Sequence, residues 1–152
     1  MLVVEIPGRR APLRLGHLAL DLNGTVAAGG RLLPGVRRRV ERLAEALEVT
    51  VLTADTFGTA ARALAGLPVA LHAVRTGADK ARFVAARRGV VAVGNGANDV
   101  GMLRRAALGI AVLGPEGMAA ALPAAADVVV AGIGDALDLL LDPRRLVATL
   151  RP

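Results

Sequence analysis

The chain has 152 residues, 54% of them hydrophobic, which is enough for one domain over residues 1–152 with a core of its own and no need of cross-links. Its formal charge of +6 rests on 19 basic residues, all arginine except Lys80, scattered in short groups; Phe57 and Phe83 are the only Phe, Tyr or Trp, so nothing is available to stack bases and no nucleic-acid partner is expected. No apolar run of about 18 residues is free of charge, cysteine is absent, and the N-terminus reaches Glu5 and Arg9-Arg10 too early for a signal peptide, so a cytoplasmic protein without a membrane span is expected.

In chain order, residues 2–6 and 13–20 are predicted strands joined at Pro7-Gly8, and residues 1–15 form an N-terminal hairpin. The second strand ends at Asp21. Gly29-Gly30 marks a further hairpin over 26–33. Pro34-Gly35 opens a helix over 36–47, with Val36, Val40, Leu43 and Leu47 on one face. A strand over 49–52 leads to Thr53-Ala54-Asp55, and Asp55 or Thr56 is placed to cap a helix ending near Leu64. A strand at 69–74, a helix at 79–88 and a wholly apolar strand at 90–93 follow. Helix is then predicted over 98–107, strand over 109–113, helix over 115–121 and strand over 128–130; helices over 133–141 and 143–150 close the chain. Alternation of this kind, with β-branched strands, predicts an α/β fold: a Rossmann-like three-layer sandwich with a mainly parallel sheet covered on both faces. Ligands of such sheets bind at the carboxyl ends of the strands. Asp21, Thr53, Lys80 and the segment from Asn95 to Asp99 all fall there or at the start of the next helix.

The polar residues are sparse enough to be informative. Serine and glutamine are absent, and the asparagines lie only in Asp21-Leu22-Asn23-Gly24-Thr25 and in Gly94-Asn95-Gly96-Ala97-Asn98-Asp99. A carboxylate at a strand end can act as a nucleophile, while the backbone N–H groups behind it can curl around an anion; Asp-Leu-Asn-Gly is equally ordinary turn chemistry. Thr53 offers a short hydroxyl to a phosphate oxygen or to a helix cap. Lys80 offers a compact ammonium in a chain that otherwise uses the planar fork of arginine. Gly94 and Gly96 allow close backbone approach, and Asn98-Asp99 open a helix whose N–H groups favour an anion while the carboxylate can help to hold Mg²⁺. As a dinucleotide fingerprint this segment lacks the third glycine and follows a late strand, and no Walker A sequence is present. His17 and His72 lack metal-ligand spacing; Asp127, Asp135, Asp138 and Asp142 read as structural or surface residues.

Asp-Leu-Asn-Gly-Thr, Leu-Thr-Ala-Asp-Thr-Phe-Gly-Thr-Ala, Gly-Ala-Asp-Lys and Gly-Asn-Gly-Ala-Asn-Asp-Val-Gly-Met-Leu, in that order, resemble the four motifs of the haloacid dehalogenase superfamily, and most of all its soluble P-type ATPase-like phosphatase group. The resemblance implies a Mg²⁺-dependent phosphohydrolase without a cap domain. Asp21 would form the aspartyl phosphate, and Thr53, Ala54, Lys80 and Asn98 would bind the phosphoryl group. Asp21, Asn23, Asn95 and Asp99 would surround the metal, and the Gly29-Gly30 hairpin would be a flap. The substrate would be a phosphorylated small molecule or a phosphoprotein, with a homo-oligomer covering the open site. Asn23 stands where the acid–base aspartate of the superfamily's phosphatases usually stands, and Asn95 where a metal-binding aspartate does. Slow turnover is therefore expected, or else a phosphate-sensing or partner-binding protein on the same fold. A receiver-type phosphoacceptor is a third reading, disfavoured because only Glu5 is acidic ahead of Asp21.

Overall fold

The apolar runs assemble into a six-stranded, wholly parallel sheet in this computed structural model, which describes residues 1–55 and 58–152. The elements are β1 (Leu2–Val4), β2 (Leu13–Leu15), β3 (His17–Asp21), β4 (Ala27–Ala28), β5 (Arg31–Leu32), α1 (Val36–Ala44), β6 (Glu48–Thr53), α2 (Thr59–Ala63), β7 (Ala70–Ala73), α3 (Gly77–Ala85), β8 (Val90–Gly94), α4 (Val100–Arg105), β9 (Leu108–Val112), β10 (Val128–Val130), α5 (Ile133–Leu141) and α6 (Pro143–Leu150). The sheet order is β10-β9-β8-β3-β6-β7. Asp21 pairs with Leu52 of β6, and Leu20 with Val93 of β8, so Asp21, Thr53 and Asn95 leave three neighbouring strands at one edge.

The period of two decides which side chain meets which helix layer. Leu18, Leu20, Val91, Val93 and Ile110 pack in one core with Val36 and Val40 of α1, Leu137 of α5 and Leu146 of α6. Ala19, Ala92 and Ala111 face the other way, into a second core with Phe83 and Val84 of α3 and Met102 and Leu103 of α4. Each fully buried leucine stabilises by about 1.5–3 kcal/mol relative to exposure. The α3–α4 contact is closer still. A methyl group on Gly77 would lie 2.6 Å from the Asn98 carbonyl oxygen, and one on Gly101 would lie 3.1 Å from the Ala81 Cβ. Two glycines therefore let α3 lie directly against the start of α4.

Four expectations change. The strand predicted over 13–20 is two strands, because the Gly16 and His17 N–H groups both turn to the Gly89 carbonyl; β2 joins the β1 hairpin and β3 enters the central sheet. The helix predicted over 115–121 is a loop: Gly114 and Gly117 adopt φ of 64° and 81°, and the Ala119 N–H bonds to the Asn95 carbonyl. The helix predicted from 79 starts earlier, capped by Thr76, whose hydroxyl accepts the Asp79 N–H while the Asp79 carboxylate accepts the Thr76 N–H. The helix predicted from 98 begins with a 3₁₀ turn over Ala97–Asp99. Gly29 and Gly30 both have positive φ, as the two-residue turn between β4 and β5 requires. The Asp55 carboxylate receives the Ala60 N–H in the first turn of α2; the alternative cap, Thr56, lies outside the described residues. No helix among the described residues is long and apolar enough to cross a membrane.

Candidate active site

Asp21 ends the central strand, and one oxygen of its carboxylate, Oδ1, accepts a hydrogen bond from Lys80 Nζ at 2.6 Å. The same ammonium donates to Asp99 Oδ1 at 2.7 Å. Both carboxylates and the lysine are buried, so this is a charge cluster of two anions sharing one cation. Lys80 reaches it from the first turns of α3, which the Gly77–Asn98 contact holds against the loop that carries Asp99. Burial pushes the Asp21 carboxyl up from its ordinary value and the charge of Asp99 adds to this; Lys80 and the Thr25 hydroxyl oppose it without reversing it. Burial by itself pulls Lys80 down, but Asp21 and Asp99 together outweigh it and hold the ammonium charged.

Asp99 Oδ2 accepts the Asn95 and Gly96 N–H groups at 3.0 and 2.9 Å. A methyl group on Gly94 would lie 2.4 Å from that oxygen, so glycine is what lets the carboxylate fold beneath its own loop. With three donors and no exposed surface, Asp99 holds the loop and the lysine and stands behind the residues that line the pocket. Thr25, to which the sequence reading gave no role, lies 3.1 Å from both Asp21 Oδ2 and Asn95 Oδ1. Its single proton can serve one of them at a time, leaving the other oxygen open. Its place in the Asp21–Thr25 segment, with no exposed surface, is the signal that could have found it.

Asp21 and Lys80 of this cluster line a cavity of about 230 Å³ together with Asn23, Thr53, Ala54, Asn95 and Asn98, among others. Asn98 and Thr53, expected from the motif order as phosphate contacts, both line this cavity. Thr53 Oγ1 accepts the Asp55 N–H at 3.1 Å, which leaves its own proton free to donate. Asn95 donates from Nδ2 to the Gly117 carbonyl at 2.9 Å, an interaction an ionised aspartate could not make. Arg75, Thr76 and Glu116 also line the mouth, and the sequence reading missed all three. A second cavity, lined by Ala27 and Gly30 of the β4–β5 hairpin, shares Asn23 and Ala54 with the first. His17 instead pairs with Glu48 at 3.2 Å, and His72 packs against the Phe83 ring with centroids 4.8 Å apart.

An aspartate closes the central strand of a parallel sheet, a lysine and a second buried aspartate converge on it, and no domain is inserted among the described residues; the fold is like that of haloacid dehalogenase-superfamily hydrolases. No family model matches the sequence. Over 62 residues the chain is 50% identical to an uncharacterized protein of Methanocaldococcus jannaschii, MJ0073, a match that spans 41% of this chain and 67% of that one. The 3-deoxy-D-manno-octulosonate 8-phosphate phosphatase of Moraxella catarrhalis, solved in complex with magnesium ion, phosphate ion and the sugar acid, superposes with a TM-score of 0.66 at 15% identity, over 90% of this chain and 94% of that one. A zinc-transporting PIB-type ATPase in its E2.Pi state superposes with a TM-score of 0.63 at 25% identity, over 78% of this chain; the chain spans 20% of that ATPase's length. The chain shares the fold of haloacid dehalogenase-superfamily hydrolases and belongs to the same family as the M. jannaschii protein.

Proposed function

We propose that the protein is a Mg²⁺-dependent phosphohydrolase that transfers a phosphoryl group to Asp21 and then to water. The observation that carries the reading is the Asp21–Lys80–Asp99 cluster beneath a pocket rimmed by Thr53, Ala54 and Asn98. One Asp21 oxygen is held by Lys80, which fixes the carboxylate so that the other can face a phosphorus atom. Lys80 brings a compact charge to the phosphoryl oxygens, and the free proton of Thr53 donates to them. The neighbouring phosphatase solved with magnesium and phosphate supports this reading by likeness of fold.

The donors present fit Mg²⁺. This ion takes one or two carboxylates and keeps several waters, which suits Asp21, the Asn23 carbonyl and Asn95 Oδ1 along one rim. Among the described residues no group of three or more acidic, His or Cys side chains is arranged to hold a metal, so affinity depends on these neutral oxygens and on substrate phosphate. Bound there, the ion would neutralise charge on the transferring phosphoryl group. The substrate is a phosphorylated small molecule or a phosphoprotein, because the pocket is open and small enough to enclose little beyond the phosphoryl group. A second copy of the chain is the proposed cover, and the cytoplasm the proposed compartment. Release of inorganic phosphate from p-nitrophenyl phosphate with Mg²⁺, reduced to background by Asp21→Asn, is the expected result; no release by the native chain across divalent metals would end the proposal.

The bond from Asn95 Nδ2 to the Gly117 carbonyl favours a second reading, a phosphate-binding protein with little turnover, since asparagine is built into this fold. Under that reading Asn23→Asp creates phosphatase activity that the native chain lacks.

A further inference from the structure

Asn23 cannot carry a proton, so turnover needs one from elsewhere. Among the residues lining the pocket only Asp21 and Glu116 are acids. Glu116 lies in the segment expected to be helical, and the way that helix fails determines its position. Left-handed Gly114 and Gly117 flank it at φ 64° and 81°. The loop is tied on three sides: Gly114 N donates to the Ala131 carbonyl at 3.1 Å, Asn95 Nδ2 to the Gly117 carbonyl at 2.9 Å, and Ala119 N to the Asn95 carbonyl at 2.9 Å. Gly114 also meets the motif that carries the nucleophile, for a methyl group there would lie 2.4 Å from the Gly24 carbonyl oxygen. The result brings the Glu116 carboxylate over the Asn23-Gly24 turn. A methyl group on Gly24 would lie 2.7 Å from Glu116 Oε2 and 2.6 Å from Asn95 Nδ2. Gly24, at φ 78°, leaves the space that Glu116 uses. Glu116 is exposed and makes no hydrogen bond or ion pair with a described residue, so its carboxylate is free to meet a ligand.

Resting on the phosphohydrolase reading, we infer that Glu116 is the acid–base of the reaction, taking the place that Asn23 leaves empty. In the first half, an Asp21 oxygen bonds to phosphorus, the bond from phosphorus to the leaving oxygen breaks, and that oxygen takes the proton of the Glu116 carboxyl. In the second half, water bonds to phosphorus and gives a proton to the Glu116 carboxylate. The bond to the Asp21 oxygen then breaks, releasing inorganic phosphate and regenerating both groups.

The test compares the native chain with Glu116→Gln on p-nitrophenyl phosphate, a good leaving group, and on glycerol phosphate, a poor one, with Mg²⁺. Loss of the proton donor is expected to slow the glycerol ester by about 10²–10⁴-fold and the aryl ester by clearly less. Because water attack also slows, acid-quenched Glu116→Gln protein should carry one phosphoryl group on Asp21 by intact mass and peptide mapping. Adding Asn23→Asp to Glu116→Gln should restore the glycerol phosphate rate. Native rates for Glu116→Gln on both esters, or an equal loss on both with no phosphoenzyme, would overturn the role of Glu116 while leaving the phosphohydrolase standing. No release by the native chain from either ester would remove both.

Discussion

Replacing Lys80 by methionine deletes the ammonium and keeps most of the apolar stem, so it isolates the charge from the packing. The structure sets the size of the effect. At an effective dielectric of about 20, contacts of this length each attract by about 6 kcal/mol, and the burial of each ion offsets several of those. What the substitution leaves is two buried carboxylates with no counter-charge, a situation that costs about 3–5 kcal/mol. A domain of this kind has a stability of about 5–15 kcal/mol, so a loss of that size should be measurable by urea titration. The pH dependence tests the cause. The Asp21 carboxyl already lies above its ordinary value in the native fold, so its contribution to stability is complete below the unfolded value and is lost as pH rises through the folded one. Without Lys80 the Asp21 carboxyl moves further up, because the ammonium is one of the groups that oppose its rise. The gap between native and Lys80→Met should therefore be widest at neutral pH and narrow as the solution is acidified, as protons take over the role of the ammonium. Adding Asp99→Asn to Lys80→Met should recover part of the loss, because one of the two opposed charges is gone. Equal stability of native and Lys80→Met at neutral pH, or a gap that does not change with pH, would refute the charge-cluster argument. Phosphatase activity should fall with the ammonium in either case.

Two further predictions concern positions away from the reacting atoms. Gly94→Ala sets a methyl group within 2.4–2.7 Å of the Asp99 carboxylate and Cβ, so the whole side chain must move; a loss of about 1–3 kcal/mol in chemical denaturation is expected, with weaker Mg²⁺-dependent thermal stabilisation. Arg39 grips Asp138 with two bonds, 2.8 and 2.9 Å, joining α1 to α5, and this holds the Asp138 carboxyl below its ordinary value. The stability it adds is present above the unfolded value and is lost as pH falls through the folded one, so Asp138→Asn should cost about 0.5–1 kcal/mol at neutral pH and nothing in strong acid, read from melting curves across pH.

Local rules made most of the architecture legible. β8 and β9 are near-continuous apolar runs, as strands buried on both faces must be, and the helices over Ile133–Leu141 and Pro143–Leu150 follow their punctuation by Gly132 and Pro143. That Asp21, Thr53 and Asn95 gather at one edge was also legible, because in a parallel sheet every strand delivers its carboxyl end to the same edge, and Lys80 follows in the helix after β7. Two of the errors have a common source. Gly16 ends one strand through a bond to Gly89, and Ala119 abandons a helix for Asn95; in each case a partner distant in sequence outbid the local pattern.

Composition and order therefore determined the class of fold and the edge of the sheet at which the sparse polar residues gather, since periodicity and strand polarity are local or global regularities that a linear text preserves. Only tertiary packing decided that Asp99 stands behind the rim, that Thr25 bridges the two asparagine-bearing loops, and that Glu116 bends back over the Asn23-Gly24 turn. Those placements depend on close backbone approaches at Gly77, Gly94 and Gly114, and such contacts leave no periodic trace in the sequence.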